Sequence, residues 1–447
     1  MRKCARVFLI LLLAPLGALA QKKPLSLEGA ISAGLEASPA LHASRMKADS
    51  SAAKTQEFVA GRLPSLKFGG GYTRLSVVPP FEVSLPISPN PIVVSQNYFN
   101  SWNLRLSVQQ PLFTGFRLEA GTESARMLER SAGLDLEKDR SEFILAVKNA
   151  YWGLAKAREF AAVIEENIRQ VREHLKDVRA FFDQGLLTKN EVLRTELQLS
   201  NAELLAIDAR NSVEVARTSL NSLIGFPIAT DIELTTSAES LASRIPDAEK
   251  DAGGEAAAPS LLETALAGRP ELKSAEFRIK ASEAGLKAAR AGWYPQVALA
   301  GNFYYLRPNP RLMPARDKFY GTWDVGIAVS FDIWNWGLTK SQTEQARAQL
   351  AQARDARQLL EDQAALEVTQ TRLALSQARE KIRVAGEAVV QAEENLRLTR
   401  DRFKQGVALN TEVLDADVFL LQARMVRTQA AIDLVLAQAR FEKALGR

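Results

Sequence analysis

Glu412 and Asp415 are the residues whose types and spacing point most directly to chemistry. Three positions apart at the expected start of a helix, they share one helical face. Carboxylates at a helix N-terminus are favoured by the exposed amides and the dipole, so capping alone accounts for them. Repeated about a symmetry axis, the same pair would form a ring of acids, and such rings bind cations and favour their passage. The corresponding turn in the first half of the chain has Glu191 but Arg194 in place of the second acid. A constriction would therefore come from the second half.

Other chemistry finds little support. His42 and His174 are the only histidines, too far apart for a helical ligand pair, and neither H-E-x-x-H nor G-x-x-x-x-G-K-[ST] occurs. Both read as surface or packing residues. The Gly69–Gly71 run follows no strand-to-helix phosphate pattern and reads as steric relief within a strand. Cys4, the only cysteine, precedes an apolar run from Val7 to Leu13. No enzyme activity, cofactor or metal site is expected.

Arg2, Lys3 and Arg6 ahead of that run, and Ala18-Leu19-Ala20 after it, have the form of a secretory signal peptide over residues 1–20. Cys4 would leave with it, and Gln21 stands where a lipid-modified cysteine would follow. Losing three of 57 basic residues leaves 54 against 52 acidic ones, so the net charge falls from +5 to +2. Charges of alternating sign and so small a surplus give no clustered basic face for nucleic acid. No later apolar run reaches the roughly 20 residues of a spanning helix.

The chain reads as one plan written twice. "SPAL" at Ser38–Leu41 superposes on "RPEL" at Arg269–Leu272, carrying Pro64 onto Pro295 and Gly70 onto Gly301 without a gap. Phe181–Leu193 lies over Arg402–Leu414, and Gly225 then meets Gly446. The expected organisation is a first repeat over 21–225, an Ala-, Gly- and Ser-rich irregular connector over 226–260, and a second repeat over 261–447. Each repeat is expected to run helix, strand, loop, strand, very long helix, tight turn, helix. The helices fall near 25–62, 116–182 and 190–223, then 261–292, 338–403 and 411–445.

Large residues recur every seven positions at Leu375, Ile382, Val389, Leu396 and Phe403, with Ala378, Ala385, Ala392 and Thr399 three places later. This is a coiled-coil seam. Leu154, Ala161, Ile168, Leu175 and Phe182 repeat it in the first half. A helix of about 67 residues spans roughly 100 Å, too long for a compact domain. The expected fold is mainly α, with paired helical lanes and a small β part.

The four strands, near 66–76, 101–113, 296–306 and 322–331, alternate apolar and polar residues, most clearly in Trp102, Leu104, Leu106 and Val108 against Asn103, Arg105, Ser107 and Gln109. A soluble sandwich is the ordinary meaning of such strands. Four strands leave open edges, however, and a membrane barrel needs at least 8 strands of about this length. Several chains must share one barrel. Proline-rich Pro79–Pro91 and Arg307–Arg316 read as outer loops, and Leu112, Phe113, Trp334 and Trp336 as an aromatic belt where strand passes to helix.

"QPLFTGF" (Gln110–Phe116), its looser copy "FDIWNWG" (Phe331–Gly337), the "SPAL" and "RPEL" openings, and "RFKQGVALNTEVLDA" (Arg402–Ala416) together resemble the TolC-like outer-membrane efflux proteins. The resemblance covers essentially the whole mature chain. It implies a homotrimer with a twelve-stranded transmembrane β-barrel in outer-membrane lipid and a periplasmic α-barrel, completed by a periplasmic adaptor protein and an inner-membrane pump. The implied function is the outer-membrane channel of a tripartite efflux or type I secretion system. The resemblance also implies an acidic periplasmic gate at Glu412 and Asp415, with Ala408 standing where a basic latch residue is expected. The two tight turns, Gln184, Gly185, Leu186 and Leu187 with Gln405, Gly406, Val407 and Ala408, are expected to form the adaptor-docking tip. A periplasmic coiled-coil adaptor or rod is the competing reading. It explains the heptads and leaves the strands without a role.

Overall fold

The computed structural model describes residues 23–79, 81–83, 86–87, 92–95, 97–238 and 258–447. The expected signal peptide with Cys4 and Gln21, most of the connector, and parts of the first outer loop lie outside the described residues. In chain order the elements are β1 (Lys23–Leu25), α1 (Leu27–Ala37), α2 (Pro39–Ala60), β2 (Ser65–Arg74), β3 (Phe81–Val83), β4 (Ile92–Ser95), β5 (Asn100–Phe113), α3 (Arg117–Asp183) and α4 (Lys189–Leu223). They continue with β6 (Ile232–Leu234), α5 (Ala258–Gly268), α6 (Pro270–Ala289), a 3-10 turn (Arg290–Trp293), β7 (Gln296–Arg307), β8 (Tyr320–Ser330), α7 (Leu338–Lys404) and α8 (Asn410–Ala444). The long helices α3 and α7 have 67 residues each, and α4 and α8 have 35 each.

The chain divides into two compact units. One comprises Ser44–Leu136 and Pro270–Glu361 and holds the main sheet, an antiparallel ribbon in the order β2-β5-β7-β8. Register gathers the apolar residues into rows: Phe68 stands opposite Leu106, Leu106 opposite Phe303, and Phe303 opposite Trp323. Because side chains alternate along a strand, the next row across the sheet is polar. It runs Lys67, Ser107, Asn302, Asp324. Arg105 donates to Asn302 Oδ1 at 2.7 Å, and the Asn302 amide donates to Asp324 Oδ1 at 2.8 Å, lacing that face together. The apolar face is uncovered: Phe68, Leu106, Val108, Phe303, Trp323, Val325 and Ile327 are all exposed.

The other unit comprises Met1–Ala43, Glu137–Arg269 and Asp362–Arg447. Its largest apolar cluster surrounds Tyr151, Trp152, Leu154 and Leu220, with Leu25, Ile224 and Ile232 from the short strands and the α4 end. Tyr151 donates its hydroxyl to Leu25 O at 3.1 Å and accepts from Thr236 N–H at 3.2 Å, so its polar end is satisfied inside the cluster. The seam residues Leu375, Ala378, Val389, Leu396 and Phe403 of α7 are buried, as are Ile168, Leu175 and Val178 of α3.

Several expectations differ from the fold. The single helices expected over 25–62 and 261–292 are each broken, at Ser38 and at Arg269, because each precedes a proline, which disfavours α backbone in the residue before it. Ser38 is extended, and its hydroxyl accepts from Leu41 N–H at 3.4 Å. The connector expected to be irregular contains β6, paired in parallel with β1 from Lys23↔Ile232 to Leu25↔Leu234. The first outer loop, expected not to form sheet, carries the β3–β4 ladder, with Glu82 opposite Val93. Its prolines flank those strands instead of interrupting them.

Candidate gate and docking tips

Both tight turns end a 67-residue helix in the same way. Gly185 N–H donates to Phe182 O at 2.8 Å and Leu186 N–H to Phe181 O at 2.9 Å; Gly406 N–H donates to Phe403 O at 2.9 Å and Val407 N–H to Arg402 O at 3.0 Å. Both glycines have φ of 75°. This is the Schellman arrangement, in which a left-handed residue just past the helix satisfies its last carbonyls. Of the expected docking residues, Gln184 and Gln405 are exposed, Leu186 is 68% exposed and Val407 61% exposed. Leu187 and Ala408 turn inward, half-buried against one cluster with Val178, Val192, Phe403 and Val413. The structure thus brings the two turns over a common apolar floor and leaves one large apolar side chain of each in solvent.

The two helices that follow the turns begin differently. On α8, Glu412 and Asp415 are both exposed. The Glu412 carboxylate accepts from Leu409 N–H at 3.2 Å, satisfying one of the orphan amides of the helix start. Capping is therefore one role of Glu412, and it leaves the second carboxylate oxygen open. On α4, Glu191 is half-buried and accepts from the Asn410 amide at 3.0 Å, with Arg194 Nη1 4.0 Å from its other oxygen. The first-repeat acid is spoken for; the second-repeat pair faces solvent.

Beneath the turns lies a polar row that the heptad pattern does not show. On α3, Asn167, His174 and Phe181 recur every seven residues, beside the heptad rows identified from sequence, and each meets the second repeat. The Asn167 amide donates to Asp417 Oδ2 at 2.5 Å, His174 Nε2–H donates to Asn410 Oδ1 at 2.7 Å, and Phe181 packs on Phe403 with ring centroids 5.5 Å apart. Asn410 also donates to Thr195 Oγ1 at 3.1 Å, so one buried amide joins α3, α4 and α8. Asp417 is 2% exposed. Burial raises its pKa above the usual carboxylate value, against the Asn167 hydrogen bond and the Arg400 guanidinium 3.4 Å away. Burial likewise lowers the His174 pKa below its ordinary 6.5, against the Asn410 hydrogen bond. A signal for Asp417 was present: it falls among Val413, Ala416 and Leu420 at helical spacing, a charge on an apolar stripe.

At the opposite end of the long helices, strand passes to helix through two successive left-handed residues. These are Gly115 and Phe116 before α3, with φ of 61° and 68°, and Trp336 and Gly337 before α7, with φ of 52° and 81°. Thr114 secures the first corner through Oγ1, which accepts from Leu118 N–H at 3.3 Å. In the second, Asn335 donates to Thr339 Oγ1 at 2.7 Å. Trp334 and Trp336 are exposed and meet edge to face at 5.7 Å.

The main sheet thus has one bare apolar face, and two 67-residue helices end in glycine-capped turns. Residues 30–226 and 261–447 match the family model described as outer membrane efflux protein. The chain belongs to the outer membrane efflux protein family. The outer membrane efflux protein BepC of Brucella suis is similar to this family member at 23% identity over 352 residues, 78% of this chain and 73% of that one. The alkaline protease secretion protein AprF of Pseudomonas aeruginosa is 24% identical over 351 residues, 76% of this chain and 69% of the relative. Among solved structures, the outer membrane protein VceC of Vibrio cholerae superposes with a TM-score of 0.77 at 18% identity, covering 94% of this chain and 96% of that one. This efflux-family chain is accordingly an outer-membrane channel of an export system, extending into the periplasm, and the reading as a rod without a barrel falls away. Members of the family are channel proteins.

Proposed function

We propose that three copies of this chain close a twelve-stranded barrel, and that the trimer passively conducts cargo from a pump and adaptor in the inner membrane and periplasm to the exterior. The observation that carries this reading is the sheet. β2 and β8 are its two edges, and one face is a continuous field of exposed apolar side chains. Open edges left unpaired in lipid are costly, so membrane strands require closure. Twelve strands from three copies meet the minimum for a barrel. A conduit of this kind selects little by itself, and the names of the relatives, one an efflux protein and one a protease secretion protein, fit cargo choice by the pump.

Within that duct, the solvent-facing Glu412 and Asp415 pair supplies the periplasmic gate, and Leu186 and Val407 present the adaptor with apolar contacts at the tips. Mass measurement after mild detergent extraction tests the assembly: a trimer is expected, and a stable monomer would sink the closed barrel. Planar-bilayer recording tests the gate. Changing Glu412 and Asp415 together to alanine should raise conductance, lower cation preference and weaken block by multivalent cations added on the periplasmic side. If all three match the parent, these acids are helix-capping residues only.

A further inference from the structure

A cavity of about 320 Å³ lies under the first corner, between the start of α3 and the end of α6. Its polar wall is made by Glu119, Glu123, Lys287 and Arg290, and its rim by Phe116 and Tyr294. The backbones that frame it touch closely: a Cβ on Gly115 would stand 2.5 Å from Ala291 O. The corner is therefore a fixed cradle built around a glycine.

Two features of position point outward, to lipid. Phe113 pairs in register with Val297, on the apolar face of the sheet, and stacks edge to face on Phe116 at 5.3 Å. Phe116 in turn meets Tyr294 edge to face at 5.8 Å, so a row of rings leads from the lipid-facing sheet to the mouth of the cavity. The cavity also lies below β5 and β7, the inner strand pair, whereas a neighbouring copy would join at the edge strands β2 and β8.

Its lining carries two cations, Lys287 and Arg290, and two carboxylates, Glu119 and Glu123, with Arg62 a third cation beside Glu119. Lys287 Nζ is 3.6 Å from Glu123 Oε2, and Arg62 Nη2 is 3.9 Å from Glu119 Oε1. Arg290 is exposed and has no carboxylate partner among the described residues. An anion alone would meet Glu119 and Glu123, and a cation alone would meet Lys287 and Arg290. A zwitterion satisfies both. Guanidinium binds phosphate oxygens through paired N–H donors, while a primary ammonium offers three donors to carboxylates. Tyrosine and other aromatics sit well at such wet and apolar boundaries.

We propose that this cavity binds the headgroup of a phospholipid carrying both a phosphate and a primary ammonium, the chemistry of phosphatidylethanolamine. The phosphate lies on Arg290 and Lys287, the ammonium on Glu119 and Glu123, and the acyl chains run along Phe116 and Phe113. The site anchors the corner at the inner leaflet and rests on the membrane-barrel reading.

Lipid retention on the delipidated, detergent-solubilised protein, measured by native mass spectrometry on adding single lipids, tests it. Phosphatidylethanolamine should bind at least ten-fold more tightly than phosphatidylcholine, whose quaternary ammonium has no N–H, and than phosphatidylglycerol, which has no cation. Arg290→Gln should weaken phosphatidylethanolamine and phosphatidylglycerol alike, and Glu119→Gln phosphatidylethanolamine alone, with helix content unchanged by circular dichroism. Equal binding of the three lipids, or no effect of either substitution, would overturn the proposal. So would competition by soluble phosphoethanolamine at the same concentration as the lipid, which would make this a small-molecule site. Carbonate-resistant sedimentation with outer membranes is read in parallel: a protein that inserts but shows no lipid preference refutes the lipid site alone, and one that fails to insert refutes the barrel as well.

Discussion

The two tight turns share one way of ending a helix and differ in the side chains that follow it. Each ends a helix at a glycine with φ of 75°, and each makes the same pair of terminal hydrogen bonds. Past that point they diverge. The first helix position is exposed Lys189 after one turn and buried Asn410 after the other. The acid that follows is drawn inward as Glu191 in the first and left in solvent as Glu412 in the second. The backbone solution is the same in both turns because glycine alone suffices for it. The asymmetric residues tie the repeats together on one side and leave the open pair of carboxylates on the other.

The largest effect that separates the turns from their surroundings is on export. Replacing Leu186 and Val407 together by glutamate should abolish export while leaving the assembly and membrane insertion intact, since both side chains lie in solvent and support no core. Export at parental level in a drug-susceptibility or secretion assay would leave the turns as helix caps alone. The next effect is on the asymmetric side. Asp417→Ala removes the acceptor of both Asn167 and Arg400, and hydrogen bonds to charged groups contribute about 1.5–3 kcal/mol. Chemical denaturation followed by circular dichroism should register a loss in that range; no loss would mean that the row beneath the tips does not couple the repeats.

The symmetric side predicts equality. Gly185→Ala and Gly406→Ala should each cost about 1–2 kcal/mol, the penalty of a left-handed L-residue. Neither added methyl would meet an atom within 4 Å, so sterics with neighbours add nothing. Unequal costs, measured in the same denaturation experiment, would break the equivalence of the backbones. Smallest is a pH effect confined to the asymmetric side. Because burial lowers the His174 pKa in the fold, the unfolded chain takes up the proton first as pH falls. Stability is therefore full above about 6.5 and is lost as pH falls from there toward the folded pKa. Asp417, whose pKa is raised, acts in the opposite direction: the fold takes its proton first, and the cost of its buried charge is relieved on acidification. His174→Gln should flatten the loss between neutral pH and the carboxylate range, read as the shift in denaturation midpoint with pH; an unchanged slope would place the titrating group elsewhere.

Much of this architecture is legible along the chain because local physics dictates it. Heptads at Leu375–Phe403 specify a long packed helix, glycines at 185 and 406 specify where it stops, and alternation at Trp102–Gln109 specifies a strand with one apolar face. The broken helices at Ser38 and Arg269 were legible too, since Pro39 and Pro270 stand in the sequence; periodicity simply spoke louder than the proline rule. Two short ladders were not. β1 is three residues long and finds its partner more than 200 positions away at β6, a pairing no local pattern encodes.

The candidate gate divides the same way. Sequence alone determined that Glu412 and Asp415 share a face near a helix start, because spacing in a helix is geometry. Only the tertiary structure decided that Glu191 is bound by Asn410 and that Asp417 is the buried acid of the region. Those facts depend on which helices lie side by side, and the partners of Asn410 and Asp417 on α3 and α4 come from the other repeat, more than 200 residues earlier in the chain. Burial, which sets the cost of a charge and the direction of its pKa, exists only once those distant segments have met.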